Sequence, residues 1–153
     1  MSVRLEPDEA WAVVQASHTG ILTTLRADGR PVALPVWFVV LDQAICMSAP
    51  TRTKKVARLR HDPRASFLVE SGEHWAELEA VHLGGNVEIV EDPALVARIA
   101  EAIEVKYTAF QTPPEAMPAE TRERYDGRTF LRFVPEGRIL SWDNRRIDLR
   151  EDQ

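Results

Sequence analysis

Near the start of the chain the hydrophobic positions fall at helical spacing. Trp11 and Val14, with Ala10, share one face of a segment that opens at Pro7 and stops at Gly20. Pro7 suits a first helical position, and Asp8 and Glu9 complement the positive end of the helix dipole, so this segment is predicted to be a helix. From Ile21 the apolar positions come instead in the short runs that form strands. Ile21 to Arg26 and Pro31 to Val40 are separated by Ala27-Asp28-Gly29, and an Asp-Gly turn between two such runs predicts a hairpin. Val36 to Val40 is apolar throughout, which predicts a strand covered on both faces. Leu41-Asp42-Gln43 turns the chain into a third strand, Ala44 to Ala49, which Pro50 ends.

Thr53 to Arg60 reads as a short helix with Val56 and Leu59 as its apolar face, closed by Asp62-Pro63. Arg64 to Glu70 and His74 to Val90 follow as strands, the second long enough that Gly84-Gly85 marks a bulge or the close approach of another backbone. Asp92-Pro93 caps a helix running to about Tyr107, with Leu95, Ile99 and Ile103 in one buried stripe. Gln111 to Ala119, rich in proline, reads as an irregular loop; Thr129 to Val134 and Arg138 to Trp142 are the last two strand-like runs, and Asp143 to Gln153 is a polar tail. Short turns between strands, with few helices and no internal repeat or linker, predict one domain over residues 1–153. It is mainly antiparallel β with flanking helices, in a sheet or barrel of about six strands.

Composition adds that a core is available. The 153 residues are 44% hydrophobic and 28% charged, and a domain of this size buries roughly 70% of its unfolded surface without needing disulfides or a structural metal. Cys46 is the single cysteine, so no internal disulfide can form and a reducing, cytoplasmic setting is expected. Glu6, Asp8 and Glu9 interrupt the first eleven residues, which hold no apolar run suited to a leader or a membrane span. A net charge of −5 argues against general nucleic-acid binding.

Several chemistries are set aside by spacing. His18, His61, His74 and His82 stand at no metal-ligand spacing, Gly84-Gly85-Asn86 lacks the dinucleotide fingerprint, and no phosphate loop occurs, so no metal site and no common nucleotide fold are expected. What stands out is charge. Arg52, Lys54, Lys55, Arg58, Arg60 and Arg64 crowd one short segment with only Asp62 opposed, in a chain that is acidic elsewhere. Lys54 and Lys55 fall in the first turn of the predicted helix, where cations meet the positive dipole end and free N–H groups. An anion relieves that conflict. A phosphate there would take hydrogen bonds from backbone N–H groups and the Ser48, Thr51 and Thr53 hydroxyls and pair with a lysine. The alternative is a solvated basic surface with no ligand. Trp37, Trp75 and Trp142 either pack in the core or face a planar ring; Glu79 and His82 on the long strand face either a pocket or solvent. No side chain stands out as a catalytic acid or base.

The order of these pieces resembles the pyridoxamine-phosphate-oxidase-like family of flavin and deazaflavin oxidoreductases, which fold as split β-barrels of the FMN-binding type. The matching residues are Gly20-Ile21-Leu22-Thr23-Thr24-Leu25, Asp28-Gly29-Arg30-Pro31, Pro35-Val36-Trp37-Phe38 and the run from Lys54 to Ser66. The resemblance implies a six-stranded barrel and a homodimer with FMN, or the deazaflavin coenzyme F-420 instead, in a groove between subunits, and hydride transfer to or from a small organic substrate. A noncatalytic flavin- or haem-binding protein of the same fold is the alternative. It further implies that Pro35, Val36 and Trp37 lie against the ring and that Ser48, Thr51, Thr53, Lys54 and Lys55 surround the phosphate, with Lys55 binding it; Trp75 is the other aromatic candidate. The chain departs from many relatives at Leu78-Glu79-Ala80-Val81, where they carry Leu-Arg-Gly-Val, and a Glu79 facing the groove would disfavour a polyanionic tail. Ser141 to Arg146 also differs from the arginine motif that binds substrate in the namesake oxidases, so their reaction is not expected here.

Overall fold

The computed structural model describes residues 2–150; residue 1 and the last three residues of the polar tail lie outside the described residues. Seven antiparallel strands form one sheet: β1 (Gly20–Leu25), β2 (Pro31–Val36), β3 (Val39–Leu41), β4 (Ala44–Pro50), β5 (Arg64–Ser71), β6 (Glu79–Val90) and β7 (Arg128–Asp143). Helices α1 (Pro7–Ala16), α2 (Lys54–His61), α3 (Pro93–Tyr107) and α4 (Ala119–Arg124) flank it. The strand order is β2-β1-β5-β6-β7-β4-β3. Its two outer strands are consecutive in the chain and joined through Trp37 and Phe38 alone. Such a short link forces the two edges of the sheet together, so the sheet curls into a barrel, while β2 and β3 do not pair and leave it split.

This link corrects the sequence reading twice. The six expected strands are seven, because the Pro31 to Val40 run breaks at Trp37 rather than continuing. Nor is that run covered on both faces, since Trp37 is exposed between buried Val36 and buried Phe38. The strand that is covered on both faces is β4: Ile45, Met47 and Ala49 face the main core with Leu22, Phe67, Leu131 and Phe133, whereas Cys46 faces a second cluster with Val39, Ile99 and Tyr107 beneath α3. Thr129 to Val134 and Arg138 to Trp142 prove to be one strand, and the long strand starts at Glu79, after a 3-10 turn at Trp75–Glu77. Gly137 adopts a φ of 74° where the register of β6 against β7 shifts between His82 and Gly84, so the glycines of this region do mark a bulge. At Gly85 a side chain would strike the Val134 carbonyl, the close backbone approach that its position suggested. Within the expected irregular loop one short 3-10 turn forms, Pro114–Ala116, and α4 begins where that loop ends.

Helix α3 follows its pattern: the Asp92 carboxylate accepts from the Ala94 N–H at 3.1 Å, and Ile99 is buried at the centre of the stripe. Cys46, fully buried below this helix, has its thiol pushed up to about 11 by burial. The native protein is therefore expected to resist a disulfide-exchange reagent at pH 8 and to release one thiol equivalent only on denaturation. Stoichiometric reaction of the folded protein would overturn this placement. No described helix is long and apolar enough to cross a membrane.

Candidate functional site

Val36 pairs with Gly20 and Val39 with Cys46, and the two residues between them, Trp37 and Phe38, stand outside the sheet ladder. The backbone groups of Phe38 are met from α3. The Phe38 N–H donates to the Tyr107 hydroxyl at 2.8 Å, and that hydroxyl lies 2.8 Å from the carbonyls of both His18 and Phe38. Lys106 donates to the carbonyls of Ser17 at 2.8 Å and Phe38 at 2.9 Å and sits 3.9 Å over the Phe38 ring. One arrangement satisfies every group: Lys106 serves Ser17 and Phe38, and Tyr107 gives its single proton to His18. Burial pushes the Lys106 amine down to about 8. The Tyr107 ring, itself fully buried, stacks on Trp37 with centroids 4.4 Å apart and planes 4° from parallel. The end of α3 thereby fixes how Trp37 stands at the mouth of the split.

Beside Trp37 opens a groove of about 340 Å³ lined by Pro35 and Val36 of β2, Ser48 and Pro50 of β4, Thr53 and Lys55 at the start of α2, and Ile103 of α3. Arg124, Tyr125 and Arg128 complete it from α4 and the start of β7. Its volume lies in the range of small-molecule sites. One wall is apolar. The other is cationic, and no aspartate, glutamate or histidine belongs to the lining.

The start of α2 carries the local chemistry. Thr53 occupies the N-cap position with extended backbone, yet its hydroxyl makes no cap bond, and no acidic residue stands in the first turn. Thr53 Oγ1 is buried and has no hydrogen-bond partner among the described residues. Such an orphan costs about 1–3 kcal/mol unless something fills its valence. Lys55, half-buried two residues further on, has its amine held below the ordinary lysine value by burial first and by Arg58 and Arg128 after that. Arg128 donates to Ser48 Oγ at 2.8 Å. Uncapped N–H groups, an unpartnered hydroxyl and two cations make a site that fits an oxyanion such as a phosphate.

Of the nine residues the sequence nominated, Pro35, Val36, Trp37, Ser48, Thr53 and Lys55 come together here. Thr51 lies just behind, its hydroxyl 3.0 Å from that of Thr129 and its N–H donating to the Gly127 carbonyl, so it shapes the turn that carries Arg128. Lys54 is exposed beside the groove. Trp75 is not in this lining: it is 61% exposed on the 3-10 turn before β6. The basic segment also divides. Arg58 donates to Thr24 at 2.9 Å and ties α2 to β1, and Arg64 pairs with Asp62 at 2.8 Å, which leaves Lys55 facing the groove. Glu79, which the sequence left open to pocket or solvent, lines a separate cleft with Ser17, His18 and Glu70 and is largely buried in an ion pair with Arg145, which also binds Asp143 at 2.9 Å.

Sequence reasoning missed Pro50, Ile103, Arg124, Tyr125 and Arg128. Pro50 and Arg128 are register partners of β4 and β7, 78 positions apart in the chain, and only the pairing joins them. Arg124 and Tyr125 follow a segment read as loop, with no periodic signal.

An open antiparallel barrel with a phosphate-suited groove at its split defines a split-barrel protein. A profile described as pyridoxamine 5'-phosphate oxidase matches residues 7–140, and the chain belongs to that family. Among solved structures it is similar to a conserved hypothetical protein of Mycobacterium tuberculosis, at 31% identity and a TM-score of 0.82 over 99% of this chain and 93% of that one. An FAD-binding protein of Mesorhizobium loti shares the fold at 22% identity and a TM-score of 0.68, over 90% of this chain and 93% of that chain. An F-420 reductase shares it at 22% identity and a TM-score of 0.62, over 84% and 94% respectively.

Proposed function

We propose that the protein is a flavin- or deazaflavin-dependent oxidoreductase, with FMN or coenzyme F-420 in the groove at the barrel split. The buried, unpartnered Thr53 hydroxyl at the uncapped start of α2, beside Lys55 and Arg128, carries this reading. Family membership and fold relatives whose names record FAD binding and F-420 reduction support a flavin-type ligand. Thr53, Lys55, Ser48 and Arg128 would hold the phosphate, and Pro35, Val36, Trp37 and Ile103 would face the ring. The ring supplies hydride chemistry when bound. The chain's part is to orient it and keep water from one face, since the groove offers no carboxylate or imidazole to move a proton. That same lack favours a second reading, a flavin binder that does not turn over; a haem would find no imidazole ligand in this lining.

We infer further that the protein is a homodimer with the groove at its interface. Leu34 on the edge strand β2 and the neighbouring Trp37 are exposed apolar side chains next to an open groove, and a partner would cover them. Sedimentation equilibrium is expected to give twice the 17.3 kDa chain mass. Only monomer, with or without FMN, would count against it. Protein from its native host is expected to carry a flavin or deazaflavin spectrum. Its bound cofactor, once reduced, should pass hydride to one organic acceptor faster than free cofactor does. Equal rates across a broad acceptor panel favour the binder, and failure of the apo protein to bind FMN or F-420 rejects both forms.

A further inference from the structure

Between α3 and β7 the chain runs outside the sheet from Thr108 to Gly127, and it is held differently from the rest of the fold. Its two ends are fixed. At the first, the Phe110 ring meets the His18 ring edge-on with centroids 4.5 Å apart, and Gln111 Nε2 donates to Glu104 at 3.3 Å. At the second, the Gly127 carbonyl accepts from the Thr51 N–H at 3.0 Å. Among the described residues, 112–126 make no hydrogen bond or ion pair to any other part of the chain, and those they do make stay within the segment. None of them is buried, and only Met117 and Thr121 are partly so. A segment without buried contacts or outside bonds opens at little cost. A fixed wall would be rooted in the core, as α3 is through Ile99 and Tyr107.

The segment is stiff within itself. Pro113, Pro114 and Pro118 fix their own φ angles, and in α4 the Arg122 N–H donates to the Pro118 carbonyl at 3.0 Å and the Tyr125 N–H to the Thr121 carbonyl at 3.2 Å. Gly127 then turns the chain at a φ of 74°, a conformation that glycine adopts without strain. A stiff piece held only at its ends moves as a unit about them. What it carries gives that motion a consequence. Arg124 and Tyr125 line the groove, and Gly127 is bonded to the turn before α2 and is followed directly by Arg128 of the cationic wall. Resting on the reading of the groove as a coenzyme site, we propose that residues 112–126 are its lid. α4 swings about Gln111 and Gly127, away from the groove to admit the coenzyme and back to lay Tyr125 over it and exclude water. Tyr125, 51% exposed and unbonded through its hydroxyl among the described residues, gives up no partner when the lid opens.

The test places one spin label on the lid, at Glu123→Cys, and one on the body, at Arg60→Cys, and measures the distance between them in the intact protein. Both positions are exposed and neither lines the groove, while native Cys46 is fully buried and stays unlabelled. FMN and coenzyme F-420 are the probes, and the change in their own fluorescence reports binding separately. Without ligand the distances are expected to spread over open and closed forms; with either probe bound they should collapse to one form. Trypsin gives a second measure: its first cut in the free protein should fall after Arg122 or Arg124, and saturating probe should slow that cut at least about tenfold. Tyr125→Ala should keep the spread of distances even with probe bound. A single narrow distance in the free protein overturns the lid, as does a probe that binds and leaves the distances and the cut unchanged; either result leaves the coenzyme site standing. If neither probe binds, the coenzyme site is rejected and the lid with it.

Discussion

Replacing Lys55 with alanine is expected to weaken FMN binding about ten- to a hundredfold, whereas Arg60→Ala changes it less than about twofold, although each removes one positive charge from the same short helix. The two positions differ in what they face. Lys55 is half-buried in the first turn of α2, on the groove and beside the orphan Thr53 hydroxyl. Arg60 is exposed near the far end of the helix, about one and a half turns on. A charge-assisted bond to phosphate contributes roughly 1.5–3 kcal/mol, while an exposed charge at that distance is screened by solvent and salt. The pH dependence has a definite sign. Burial, Arg58 and Arg128 hold the Lys55 amine below its ordinary value, and a bound phosphate favours its charged form, so affinity falls as rising pH removes that proton. In Lys55→Ala this alkaline fall should disappear. Thr53→Val is the companion variant: it removes the buried unpartnered hydroxyl, so it should weaken FMN binding without destabilising the free protein. Equal FMN affinity for Lys55→Ala and Arg60→Ala would return the basic segment to solvated surface.

The sequence made parts of this site legible because they are local. Charge at the start of a helix, hydroxyls just before it and an apolar stretch ending in Trp37 are all read within a few residues, and all but the turn residue Thr51 and the exposed Lys54 meet in the groove. Alternation gave the strands and the split-barrel resemblance gave their arrangement. What stayed hidden depends on pairing. Arg128 joins the site because it is the register partner of Pro50, and Glu79 leaves it because the turn after β7 brings Arg145 against it. The Pro31 to Val40 run misled for a related reason. Five successive apolar residues signal burial on two faces only when the strand continues. Here a helix more than fifty positions downstream supplies Tyr107 and ends it.

That ending makes Tyr107→Phe the stability change with the largest expected effect for one atom removed. The phenyl ring keeps the stack on Trp37 and the volume of a fully buried site, so packing is preserved. Only the hydroxyl is lost, and with it the partner of the Phe38 N–H in a residue with no solvent exposure. A buried donor left unmade costs about 1–3 kcal/mol, and in a domain of this size each kcal/mol lowers Tm by about 2–4 °C. A fall of Tm below about 1 °C would mean that the β2–β3 link finds another partner and is not held by α3. Lys106→Met separates the two anchors by pH. Burial holds the folded-state amine at about 8, under its ordinary 10.5, so between those values the unfolded chain binds a proton that the folded chain does not. Stability therefore gains a contribution as pH rises through this window, and below pH 8 the full cost of burying the charge is present. Lys106→Met should lose that rise while Tyr107→Phe keeps it. A barrel split held by two side chains of one helix explains why the apolar wall of the groove stands at the end of α3: Tyr107, which with Lys106 anchors the β2–β3 link at Phe38, also stacks on Trp37.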